Sequence, residues 1–304
     1  MAPVTPPSPF PAGWRSWLAG ARPRTLPAAV VPVLVGTAAA CGLGHVIAWR
    51  AVAAGLVALL LQIGTNFAND YSDGVRGTDE PGRRVGPVRL VGWGLQRPGA
   101  VKRAAVLCFV GAALAGGGLA LAVGPELLVV GAAAIAAGWF YTGGKHPYGY
   151  YGFGELFVFV FFGLVATIGS TYVQLEEVTG LSVGAALPVG LLATSLRVTN
   201  NLRDIPGDTV SGKRTLAVRI GDRRTRVLYT VLLVVAFAAV PLVAGGYDRP
   251  AAIIAIVGVV LARGAVVTVL DGASGPALIP VLAATGRVQL VTGALLAAGM
   301  CLSA

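Results

Sequence analysis

Two short runs hold most of the side chains in this sequence that could do chemistry. The first carries Asn66, Asn69, Asp70 and Asp73, with Asp79 six residues on; the second carries Asn200, Asn201, Arg203, Asp204 and Asp208, followed by Lys213 and Arg214. Asn66, Asn69 and Asp73 are separated by three and then four residues, so on a helix they share one face, with Asp70 close beside it. Asn200, Asp204 and Asp208 repeat a four-residue spacing. Pro206 disfavours helical geometry in the residue before it, which predicts Asp208 on a turn beside the helix end. Five carboxylates (Asp70, Asp73, Asp79, Asp204 and Asp208) gathered at one cavity mouth would repel one another unless cations were bound. Hard oxygen donors with amide neighbours suit Mg2+, which shares its sites readily with substrate phosphates. Lys213, Arg214 and Lys145 would then complete a clamp for a diphosphate. A single Asp-x-x-x-Asp is a weak signal, more often a solvated helix end. The coincidence of two such clusters, each followed by a Gly- and Arg-containing loop, carries the reading.

The elements that must position these clusters are membrane helices. Of the 304 residues 56% are apolar and only 12% charged, at a mean hydropathy of +0.77, which excludes an ordinary soluble domain, a disordered chain and a disulfide scaffold. A helix needs about 20 mostly apolar residues to cross a bilayer core. Runs of that kind predict nine spans, near 26–48, 51–70, 103–123, 125–142, 154–174, 181–203, 227–246, 250–270 and 285–303. The last is preceded by a Gly275-Pro276 stretch that reads as a possible half-helix. Residues 1–25 form a Pro-rich lead-in without the layout of a cleaved signal peptide, and 26–304 reads as one all-helical transmembrane domain.

The charge decides orientation. With nine spans, 19 of the 23 basic residues fall on one side, chiefly in the loops 71–103 and 203–226, against Arg50 and Arg249 on the other. Positive loops stay inside, so the N-terminus is predicted in the cytoplasm and the C-terminus outside. Spans two and six then both end at the cytoplasmic surface, which brings the two Asn/Asp clusters together. Arg197 and Arg263 lie within predicted spans. Cys41, Cys108 and Cys301 sit singly in apolar runs, and His45 and His146 stand alone, so no zinc or iron–sulfur spacing is present.

These residues resemble the UbiA superfamily of intramembrane aromatic prenyltransferases over nearly the whole chain. Asn69, Asp73 and Asp79, with Asp70, match its first motif, and Asp204 and Asp208 match its second. The stretches Ala21 to Pro27, Gly86 to Val91, Tyr141 to Gly144, Tyr148 to Tyr150, Gly152 to Glu155 and Gly212 to Ala217, together with the Asp73-to-Asp79 spacing, are most similar to the branch whose acceptor is 1,4-dihydroxy-2-naphthoate. The resemblance implies an enzyme of the plasma membrane, with its site facing the cytoplasm. It implies that Asn69, Asp73, Asp79, Asp204 and Asp208, helped by Asp70, hold Mg2+ against a polyprenyl diphosphate. Asn66, Asn69, Asn200, Asn201, Arg203, Lys213 and Arg214 would hold the diphosphate, and Lys145 would assist as it leaves.

The allylic carbon would pass to the naphthoate ring, with loss of the ring carboxyl as carbon dioxide, as in menaquinone biosynthesis. Arg22, Tyr141 and Glu155 are the residues assigned to the acceptor, Arg22 or Lys145 steering its carboxylate. Tyr141, Tyr148, Tyr150 and Tyr151 could shield a developing cation; Phe157, Phe159, Phe161 and Phe162 read rather as packing. The alternatives are another aromatic acceptor such as 4-hydroxybenzoate, a CDP-alcohol type phosphotransferase, whose aspartates would lie in one segment, and a transporter, whose carboxylates would lie nearer the midplane. No nucleic-acid or protein partner is indicated.

Overall fold

The computed structural model describes residues 13–78 and 88–303. Within them the chain is helical, with no strand among the described residues. Its α-helices are α1 (Trp14–Ala21), α2 (Pro27–Cys41), α3 (Ala48–Val75), α4 (Pro98–Ala122), α5 (Glu126–Phe140), α6 (Gly154–Val158), α7 (Ala166–Leu175), α8 (Gly180–Val210), α9 (Leu216–Ile220), α10 (Asp222–Gly246), α11 (Gly258–Leu270) and α12 (Leu278–Leu302).

Seven helical stretches are long and apolar enough to cross a membrane, and an eighth is the pair Trp14–Thr25 and Pro27–Cys41, bent by 50°. The fourth expected span is α5, whose 15 residues give about 22 Å of rise, short of a ~30 Å core. The nine predicted segments are thus all helical, though not equally long. The bend in the first span falls where Pro23 and Pro27 each remove a backbone donor. The Gly275-Pro276 stretch is one tight turn, Gly275–Ala277, leading straight into α12 rather than a separate half-helix.

Both motif-bearing helices run further than their apolar stretches predict. α3 continues through the whole Asn/Asp cluster to Val75, and α8 continues through Pro206 to Val210. The turn expected at Asp208 is therefore corrected. Pro206 is exposed, so its missing N–H falls on the outer face, while Asn201, Asp204 and Asp208 keep helical register on the buried one.

α8 is the central strut, packing against α2, α7, α10 and α12. One core cluster joins it to α2, α10 and α12 through Val35, Leu181, Val189, Val240 and Leu296; another joins it to α10, α11 and α12 through Leu192, Val198, Tyr229, Phe237 and Val288. A third binds α3 to α4 around Phe67, Phe109 and Leu90. Close approach uses glycine where the backbones meet. A Cβ on Gly163 would lie 2.5 Å from Cα of Gly190, and one on Gly36 would lie 2.2 Å from the Thr167 carbonyl oxygen. Between α6 and α7 the chain passes through wide π-type turns, Phe159–Val165, which rotate the face α7 presents relative to that of α6. Cys41 and Cys301, unrelated in sequence, lie close together where α2 meets α12, with Cys301 Sγ donating to the Ala38 carbonyl at 3.8 Å.

Candidate active site

The ends of α3 and α8 meet in a narrow polar cleft of about 50 Å³ lined by Asn69, Asp73, Asn201, Asp204, Asp208, Lys213, Thr142, Tyr150 and Thr215. It opens into a cavity of about 500 Å³ between α2, α3, α4, α5, the α6–α7 span and α8, with walls such as Leu61, Ile135, Phe157 and Phe161. Arg22, Asn69, Arg89, Tyr141 and Arg197 line both chambers and so form the neck between them.

Each carboxylate in the cleft has been given a partner by the fold. Asp73, 3% exposed, accepts from the Tyr150 hydroxyl at 2.6 Å and from Lys213 Nζ at 3.0 Å. Asp204 takes the Arg203 guanidinium in a two-pronged pair at 2.7 and 2.8 Å, a geometry matched to the carboxylate fork. Asp208 meets the Thr215 hydroxyl, at 3.4 Å. The Lys213 ammonium also lies 4.7 Å from the Tyr150 ring centroid. Burial, and then the neighbouring Asp73 charge, push the Tyr150 hydroxyl well above the usual tyrosine range, so it remains a donor at any physiological pH. Arg76 donates to the carbonyls of Thr142 and Gly144 and so ties the end of α3 to the 142–144 turn, while Thr142 donates to Asn69 Oδ1 at 2.8 Å.

The donors facing the cleft are all oxygens, the set a hard divalent cation prefers over zinc or copper. Among the described residues no three acidic, histidine or cysteine side chains converge on a single point, and Lys213 and Arg203 each pair with one of the cleft carboxylates. A cation would have to displace those basic groups, which a diphosphate arriving with it would attract. The residues fit Mg2+ in that sense.

Several residues expected at one mouth are divided by the structure. Asp70, fully buried, accepts from the backbone N–H groups of Leu90 and Val91, both at 2.9 Å, and does not line the cleft; it anchors the 88–91 segment. One helix step of about 100° from Asn69 turns it away from that face. Asn66 donates to the Ala21 carbonyl and the Thr25 hydroxyl, holding the bend of the first span against α3. Asn200 faces the large cavity, and its neighbour Asn201 faces the cleft. Lys145 and Arg214 are exposed and line neither chamber. Asp79 lies outside the described residues.

Glu155 is buried behind the cleft, where Oε1 accepts from Asn201 Nδ2. Arg22 ends α1 in a left-handed conformation, φ 53°, and its Nε and Nη2 are buried in the neck without a hydrogen-bond partner among the described residues. Tyr141 stands beside it under the Arg197 guanidinium, 4.9 Å from the ring centroid.

A family model described as the UbiA prenyltransferase family matches residues 29–278. The chain belongs to the UbiA prenyltransferase family. It is 50% identical to a 1,4-dihydroxy-2-naphthoate octaprenyltransferase of Mycobacterium tuberculosis, over 92% of this chain and 94% of that protein. A protein of the same name from Escherichia coli is 40% identical, over 72% of this chain and 73% of its own length. Among solved structures, a UbiA homolog from Archaeoglobus fulgidus bound to DMAPP and Mg2+ superposes with a TM-score of 0.63 at 16% identity, covering 93% of this chain and 98% of that one. The apo UbiA homolog from Aeropyrum pernix gives 0.68 at 14% identity, covering 90% and 95%. At such identities the structural likeness shows the shared fold.

In the neck of this UbiA prenyltransferase, sequence reasoning named Arg22, Asn69 and Tyr141 and missed Arg89 and Arg197. Arg197 was visible as an arginine inside an apolar span, a costly placement that by itself points to function. Arg89 had no comparable signal, and Tyr150, named for its ring, had none for its hydroxyl bond to Asp73. They sit in loops and reach the site only through folding.

Proposed function

We propose that this prenyltransferase moves a polyprenyl group from an allylic diphosphate to 1,4-dihydroxy-2-naphthoate, releasing carbon dioxide and diphosphate. The observation that carries the reading is the joining of a polar, oxygen-lined cleft to an apolar cavity of about 500 Å³ through an arginine neck. The choice of acceptor is supported by half-identity to a naphthoate octaprenyltransferase over nearly the full length of both chains.

In this reading the diphosphate lies in the cleft and the isoprenoid chain in the cavity. Asp73, Asp204 and Asp208, with Asn69 and Asp79 nearby in sequence, would hold Mg2+, which would supply positive charge to offset that of the departing diphosphate. Lys213 and Arg203, released from their carboxylates, bind phosphate oxygens. As the allylic carbon–oxygen bond breaks, its electron pair leaves with the diphosphate, and the electron-rich ring supplies the pair for the new carbon–carbon bond. The carboxyl group then departs as carbon dioxide, returning its bonding electrons to the ring. Arg22, with its unpartnered nitrogens, and Arg197 hold the acceptor carboxylate in the neck, while the faces of Tyr141 and Tyr148 line the path of the reacting carbon. The low-polarity cavity excludes water that would otherwise capture the allylic centre.

Residues 26–304 act as one transmembrane domain of the plasma membrane, behind a cytoplasmic lead-in. The cleft opens to the cytoplasm, an orientation resting on the 19 basic residues of that side. The test is purified protein in detergent with Mg2+, an allylic diphosphate, and either 1,4-dihydroxy-2-naphthoate or 4-hydroxybenzoate. The expected result is a decarboxylated prenyl naphthalenediol by mass spectrometry, absent with Asp73→Asn and Asp204→Asn. Transfer to 4-hydroxybenzoate alone would overturn the acceptor assignment, and full turnover in either variant the cation site.

A further inference from the structure

Glu155 is a carboxylate with no evident occupation. It lies in the first turn of α6, 6% exposed, and one of its oxygens, Oε2, is buried without a hydrogen-bond partner among the described residues. A half-satisfied buried carboxylate is expensive, and a fold retains one where it does something. Its other oxygen, Oε1, receives the Asn201 amide at 2.6 Å across 46 residues of sequence, the short distance typical of a charge-assisted bond.

That bond fixes which way the Asn201 amide points. The two ends of an asparagine amide are told apart by their partners. The atom facing Glu155 Oε1 is the NH2 nitrogen Nδ2, so the carbonyl oxygen Oδ1 is on the other branch. Asn201 lines the polar cleft on the same buried face of α8 as Asp204 and Asp208, three and seven residues further on. Its Nδ2 bond to Glu155 is the hydrogen bond its side chain makes among the described residues. With one N–H of that nitrogen committed there, Asn201 offers the cleft its carbonyl oxygen, with the second N–H on the nitrogen still available. Such an oxygen does not itself bind a diphosphate, whose oxygens are acceptors too; beside Asp73, Asp204 and Asp208 it adds a neutral acceptor to a set of oxygens suited to a cation.

We infer that Glu155 is a positioning residue that holds the amide oxygen of Asn201 toward the cleft as a neutral ligand for the divalent cation. The inference rests on the cation reading above and gives Asn201 a role toward the metal beside the one toward the diphosphate. A neutral oxygen supports hard-cation coordination without adding a further charge that must be neutralised when the cation leaves.

The experiment is a Mn2+ titration of the detergent-purified full chain without substrates, following free Mn2+ by electron paramagnetic resonance. Asp204→Asn is expected to lose binding. Asn201→Ala and Glu155→Leu should each weaken it about tenfold. Glu155→Gln should stay close to wild type, because its amide oxygen still accepts from Asn201 Nδ2; a merely structural role for Glu155 would move the melting temperature and leave Mn2+ affinity where it was. Wild-type affinity in Asn201→Ala overturns the inference while leaving the cation site standing, and this variant decides the matter even if Glu155→Leu does not fold. Absence of Mn2+ binding in the wild-type protein removes the cation reading and the inference together.

Discussion

Replacing Lys213 by Met should tighten divalent-cation binding while crippling transfer, an unusual pairing of effects. Lys213 Nζ lies 3.0 Å from Asp73 Oδ2, and both side chains are buried, so a cation that takes Asp73 must first expel the ammonium. A hydrogen bond to a charged group contributes about 1.5–3 kcal/mol net. At roughly 1.4 kcal/mol per tenfold, removing that competitor should raise Mn2+ affinity by about 10- to 100-fold. Without metal the variant keeps a buried Asp73 that has lost its counter-charge, a change that typically costs about 3–5 kcal/mol. Its melting temperature should therefore fall in EDTA and recover on adding Mn2+. Turnover should drop by about 100-fold or more, since a preorganised positive group facing the leaving diphosphate is gone. The measurements are Mn2+ binding by electron paramagnetic resonance, melting with and without metal, and single-turnover transfer. Weaker or unchanged Mn2+ binding in Lys213→Met would refute the view that the lysine holds the metal's place on Asp73.

Other consequences are as specific. Tyr150→Phe removes the 2.6 Å bond to Asp73 and should cost about 1.5–3 kcal/mol of stability. Because the folded-state hydroxyl sits above the ordinary value, the wild-type contribution is intact below about pH 10 and fades as pH climbs from there toward the raised folded value; Tyr150→Phe should show a smaller stability loss over that alkaline window. Asp70→Ala strands two backbone N–H groups at Leu90 and Val91, so it should destabilise by about 2–5 kcal/mol, whereas any folded fraction should bind Mn2+ normally; lost binding at unchanged melting temperature would contradict its anchoring role. Gly163→Leu has no room against Gly190 Cα and should force α8 and the π-turn segment apart, lowering the melting temperature by the equivalent of at least ~3 kcal/mol. A mild thiol oxidant should couple Cys41 to Cys301 and leave Cys108 alkylatable, as read by mass spectrometry; a Cys108 cross-link would contradict the packing of α2 on α12.

Much of the architecture was legible because membrane helices write themselves in local composition. Each predicted span corresponds to a helix, and the errors occur where local rules meet tertiary support. Pro206 suggested a break, but a missing donor on an exposed face is tolerated when the opposite face is packed. α5 reads as a span by hydropathy although it is only 15 residues long, because composition does not record where the helix stops. In the candidate site, helical spacing grouped Asn69 with Asp73 and Asp204 with Asp208, and these line the cleft together. The same spacing said nothing about Arg22, Arg89 and Arg197, which approach one neck from α1, a loop and α8.

The sequence by itself determined the membrane class, the run of helices, the concentration of positive charge beside two Asn/Asp clusters, and the UbiA resemblance. All of these are properties of contiguous residues. The tertiary structure alone decided what each member of a cluster touches. Asn69, Asp70 and Asp73 lie within five residues, yet Asp70 turns to backbone donors 20 and 21 residues away while Asp73 faces a lysine 140 residues away. A helix rotates by about 100° per residue, so adjacent carboxylates look in different directions. Which direction holds the cleft depends on where α8 packs.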